Sequence, residues 1–173
     1  MRALVLALAI AAAACGGTED EPTVGVSHAD RAPGPVELDL RATDGSFVTV
    51  GDLRGKPTIL FCFATYDGVS QAAVRPLSRF VRHHPEVYVL AIATQPNPEV
   101  FAQAWESALT PGFVVTFDPE ENVIEGTTDL GYIGAVPTYI LLDEHGVEVE
   151  RYTGFASQNQ LEALLAMLDG GSN

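Results

Sequence analysis

Only two cysteines occur in the 173 residues, Cys15 and Cys62. They can form one intrachain disulfide at most, and their settings argue against it. Cys15 ends an apolar leader, and Cys62 lies in an apolar run where a free cysteine behaves as a small buried hydrophobe. A disulfide-stapled scaffold is excluded. Basic side chains are scarce as well, with nine Lys+Arg against 23 Asp+Glu and a formal charge of −14. Nucleic acid and anionic lipid are bound largely by Lys and Arg neutralising phosphates, so no nucleic-acid partner is expected. No apolar run reaches the roughly 20 residues that a bilayer-spanning helix needs. A glycine-rich phosphate loop, HExxH, a paired-cysteine metal signature and internal repeats are all missing, so neither cofactor nor metal is expected. The adjacent His83 and His84 point in different directions from a helix and are poorly placed to share an ion. His28 falls in a polar stretch and His145 in a turn.

What is present is an apolar fraction of 47%, enough for one sizeable core. Met1-Arg2 followed by an apolar run over 3–14 fits a signal peptide. Ala12-Ala13-Ala14 before Cys15 resembles a bacterial lipobox, which implies lipidation of Cys15 and a membrane anchor. Ordinary cleavage after Ala14, releasing a soluble protein, is the alternative. Residues 15–35, with Glu19-Asp20-Glu21 and Pro22, Pro33 and Pro35, read as a flexible tether. A domain over 36–169 and a short tail over 170–173 complete the chain.

Within the domain, alternation at Val36, Leu38 and Leu40, then Asp44-Gly45, then Phe47 and Thr49 predicts a hairpin. The stretch 53–77 organises the rest. Its unbroken apolar run over 58–64 predicts a strand covered on both faces. Asp67-Gly68 supplies a turn, and Asp67 or Ser70 can cap the helix that follows over 69–83. Pro76 should kink that helix. Strands are expected over 87–93, 113–117, 139–142 and 147–152. A helix over 98–109 is expected to bury Val100, Phe101, Ala104, Trp105 and Ala108, with Asn97 as N-cap and Pro98 at its first position. A short turn or helix should follow Asp118-Pro119, and a final amphipathic helix covers 160–168. The alternation predicts an α/β fold with a mixed sheet.

Leu53-Arg54-Gly55-Lys56-Pro57, the apolar strand ending in Ala64-Thr65-Tyr66, and Val136-Pro137-Thr138 resemble the TlpA-type thioredoxin-like (redoxin) proteins of bacterial envelopes. The resemblance covers about 36–168. It implies a thioredoxin-like three-layer α/β/α fold with a mixed central sheet and an N-terminal hairpin. It also implies a cis-proline at Pro137 facing the active-site turn, and thiol-disulfide oxidoreductase activity. In that family a Cys-x-x-Cys pair follows the strand, and here the four residues are Asp67-Gly68-Val69-Ser70. Disulfide exchange needs a thiolate to attack and a second thiol to resolve, and neither a carboxylate nor a serine hydroxyl carries two electrons. The buried acid that many thioredoxins place six residues before the first cysteine corresponds to Phe61. Cys62 lies five residues before Asp67, roughly 16 Å away along an extended chain at about 3.3 Å per residue.

A peroxiredoxin loop has no counterpart here, and Ser70 has no identifiable His base for hydrolysis. The leading expectation is a redox-inactive envelope protein, a scaffold or module for an extended peptide or another envelope protein. In the family, the residue before the cis-proline pairs its backbone with such a segment. Tyr66, Asp67, Val136, Pro137 and Thr138 would form the groove, with Asp67 and Ser70 in the family's cysteine positions. The alternatives are a TlpA-type oxidoreductase and a purely structural lipoprotein in which Asp67 is a simple N-cap.

Overall fold

The computed structural model describes residues 34–170. The expected signal peptide, Cys15, His28, nearly all of the expected tether and most of the expected tail lie outside the described residues. The hairpin forms as the Asp-Gly signal predicts, from β1 (Asp39–Ala42) and β2 (Phe47–Thr49), with Leu40 opposite Val48. Its first strand begins three residues later than the alternation suggests. A 3-10 turn over Val50–Leu53 leads to β3 (Thr58–Phe63), every residue of which is buried.

The elements α1 (Gly68–His83), β4 (Tyr88–Ala93), α2 (Pro98–Leu109), β5 (Val114–Phe117) and α3 (Asn122–Glu125) follow. The chain closes with β6 (Thr138–Leu142), β7 (Glu148–Thr153), α4 (Gln158–Leu165) and α5 (Met167–Gly170). Where one helix is expected over 160–168 there are two short ones. The first starts earlier because Ser157 and Gln160 form a reciprocal capping box. α1 continues through Pro76.

The seven strands form one mixed sheet in the order β2-β1-β5-β4-β3-β6-β7. β3, β4 and β5 are parallel to one another, β6 runs antiparallel to β3, and β7 runs antiparallel to β6. Strand alternation divides β3 between two cores. Ile59, Phe61 and Phe63 face the side covered by α1, α2 and α4, where Phe63 stacks 4.2 Å from Trp105. Leu60 and Cys62 face the other side, closed by Val36, Leu38, Val50, Val123 of α3 and Leu130. This second covering layer is mostly extended chain.

The α2 expectation needs correction. Its buried face is Pro98, Ala102 and Trp105, whereas Val100 and Phe101 are exposed at 71% and 51%. Ala104 and Ala108 are exposed too. Asn97 precedes α2, but its side chain makes no capping bond. Its backbone is left-handed, with φ 52°, and its N–H donates to Glu121 Oε1 at 2.8 Å.

Candidate functional site

The carboxyl ends of β3, β4 and β5 lie in one row, through the pairs Phe63–Ala93 and Ala93–Phe117. β6 starts at the same end, because Cys62 pairs with Thr138, and Thr138 in turn pairs with Thr153 at the close of β7. The chain before Thr138 therefore emerges beside the chain after Phe63. That register brings Pro137 and the 64–67 turn to one end of the sheet, with strand neighbours about 4.8 Å apart.

The turn is held by hydrogen bonds throughout. Asp67 N–H donates to the Ala64 carbonyl at 3.1 Å. Thr65 N–H donates to Gln95 Oε1 at 2.6 Å, and Gln71 Nε2 donates to the Thr65 carbonyl at 2.9 Å. Asp67 is the N-cap of α1, with extended backbone, and its Oδ2 accepts the Ser70 N–H at 2.6 Å. Partial burial raises the Asp67 pKa, but bonds from the Ser70 hydroxyl, the Ser70 N–H and the Val69 N–H outweigh it. The net pKa lies below the ordinary carboxylate value. Ser70 is fully buried, and its Oγ accepts the Ala64 N–H at 3.4 Å. Of the two capping candidates, Asp67 caps and Ser70 packs inside.

Opposite this turn, the Val136–Pro137 bond is cis. Pro137 is buried and its carbonyl accepts the Gly154 N–H at 2.8 Å. Thr138 Oγ1 donates to the Ala135 carbonyl at 2.7 Å and lies 2.9 Å from Thr153 Oγ1. Val136 is half-buried, and among the described residues its N–H and carbonyl have no hydrogen-bond partner. Tyr66 is 74% exposed at the same end.

Cys62 has no solvent exposure, and burial pushes its thiol up to about 12, against the opposing charge of Arg151. Phe61, in the position of the family's buried acid, packs 5.1 Å from Tyr139 and 5.6 Å from Phe63. Among the described residues no group of three or more His, Cys, Asp and Glu could hold a metal ion.

Three supporting groups escape the sequence reading. Gln95 and Gln71 brace the turn, and Arg151 holds the loop before Val136. The Arg151 guanidinium donates twice to Glu148, both at 2.9 Å, and once to the Leu130 carbonyl at 2.8 Å. Periodicity finds apolar faces, and isolated polar side chains leave no such trace.

No protein-family model matches the chain. The thiol-disulfide oxidoreductase ResA of Halalkalibacterium halodurans is 26% identical over 134 residues, which is 77% of this chain and 74% of the relative. Among solved structures, the pneumococcal exposed lipoprotein thioredoxin of Streptococcus pneumoniae superposes with a TM-score of 0.64 at 19% identity. That match covers 77% of this chain and 98% of the other. A secreted disulfide oxidoreductase of Mycobacterium tuberculosis, described as homologous to DsbE of Escherichia coli, gives 0.61 at 21% identity, covering 75% and 94%. By fold the chain is thioredoxin-like, and in sequence it is similar to a thiol-disulfide oxidoreductase of the ResA type.

Proposed function

We propose that this protein is a redox-inactive member of that group, acting in the cell envelope as a binding or scaffold module for extended peptide segments. One observation carries the reading. The helix N-terminus at which the relatives would present a reactive cysteine is closed by the Asp67 carboxylate, with Ser70 buried behind it. Neither side chain exchanges disulfides, and Cys62, the one cysteine among the described residues, is sealed inside the core.

The groove itself needs no sulfur. The open N–H and carbonyl of Val136 offer an extended chain the pairing of an added strand, with Tyr66 and Thr138 beside them. An envelope location is supported by the leader pattern over 1–14 and by relatives described as secreted or as an exposed lipoprotein. A lipid on Cys15 would supply the membrane anchor.

Insulin reduction in the presence of dithiol tests the redox half, and fluorescence anisotropy with extended peptides tests the binding half. The wild type should reduce insulin no faster than the dithiol alone. It should bind peptide, more weakly after Tyr66→Ala, and lose binding in Val136→Pro, which removes the N–H while the melting curve reports the fold. The similarity to ResA favours a second reading, a working oxidoreductase. Insulin reduction above background that is lost in Cys62→Ala would establish that reading and end the first. A protein that neither reduces insulin nor binds peptide is left as a structural lipoprotein.

A further inference from the structure

The end of the sheet that carries Asp67 and Val136 has an unusual surface. Six of the ten large apolar side chains exposed among the described residues, Tyr66, Val69, Val100, Phe101, Tyr132 and Phe155, belong to the segments that emerge there. Those segments are 64–71, 94–101, 118–137 and 153–160. Together they hold seven carboxylates and not one Lys, Arg or His. Glu99, Glu120 and Glu125 are exposed among them. The Lys and Arg of the described residues lie elsewhere. They sit on β1 over the Phe47 ring, at the entry to β3, along α1, and on β7 paired with Glu148.

Resting on the peptide-binding reading above, we propose that this end face selects extended protein segments in which apolar side chains alternate with Lys or Arg. The apolar residues give contact area, the open Val136 backbone gives strand pairing, and the carboxylate rim sets the sign of the partner's charge. A second copy of this chain would bring the same carboxylates against themselves, and an anionic membrane surface is repelled in the same way.

Three synthetic nonapeptides test this, identical in their Val, Leu and Tyr positions and carrying Lys, Ser or Glu between them. Each is titrated against the full-length protein by fluorescence anisotropy at low and high salt. The lysine peptide should bind at least about tenfold more tightly than the glutamate peptide, since rim charges of one sign disfavour the wrong partner. That gap should narrow as salt rises. The double variant Glu99→Lys/Glu120→Lys should shrink or reverse it. Equal affinity for all three peptides overturns the charge selection and leaves peptide binding standing, whereas binding of none overturns the peptide-binding reading as well. A gap unchanged in the double variant, or a dimer in sedimentation that peptide does not dissociate, overturns the assignment to this face.

Discussion

Asp67 satisfies a backbone donor that α1 would otherwise leave open, and it carries a full negative charge at the positive end of the helix dipole. Asp67→Ala should therefore cost about 1 kcal/mol of stability, measured by urea unfolding at neutral pH. The pH dependence has a definite sign. The folded pKa is below the unfolded one, so the contribution is fully present above the ordinary carboxylate value of about 3.9 and fades as pH falls through the folded pKa. Wild type and variant should converge in acid. Cys62 makes the opposite case, since burial raises its pKa to about 12 and removes it from solvent. With Cys15→Ser, so that one thiol remains, alkylation at pH 8 should run at least about a thousandfold slower in the folded protein than in urea. Fast alkylation of the folded chain would mean that this sulfur is available for chemistry.

Among the elements, those buried on both faces were the most legible. β3, β4 and β6 are continuous apolar runs, because helices or extended chain cover each side of the sheet. α2 was legible as a helix and not in its orientation. The stripe through Val100, Phe101, Ala104 and Ala108 and the one through Pro98 and Ala102 both meet Trp105 at helical spacing. Only the neighbouring β5 decides which of them faces inward. The turn and the cis-proline could be read from their resemblance to known motifs, whereas the Gln95–Thr65–Gln71 brace could not. The Arg151–Glu148 pair is the clearest hidden element, fastening the loop at Leu130 to β7 just upstream of Val136. Both side chains are largely buried, at 11% and 6% exposure. Arg151→Met should destabilise the protein by about 3 kcal/mol. Adding Glu148→Gln should recover part of that loss, because the variant then no longer buries an ionised carboxylate. Equal losses in the single and double variants would instead point to the Leu130 carbonyl bond as the dominant contribution.

At the scale of the whole molecule, the end face is assembled by the sheet's register and not by the residues at 67 and 70. Pairing of Cys62 with Thr138 sets Pro137 beside the turn whatever side chain caps α1. The housing should thus accept thiols. Asp67→Cys places a sulfur at the helix N-terminus, where unpaired N–H groups and the dipole favour the thiolate. Ser70→Cys adds a second thiol three residues on, about one helical turn away. The double variant should form the disulfide on oxidation and then reduce insulin at least about tenfold above the wild-type background, while each single variant stays at background for want of a resolving partner. Phe61 leaves the site without the buried acid of many thioredoxins, so the gained activity should rise steeply with pH as the attacking thiol ionises. A folded double variant that closes its disulfide yet reduces nothing would show that the end face no longer admits a disulfide substrate. The proposed loss of redox function would then reside in the surrounding surface as well as in the absence of cysteine at 67 and 70.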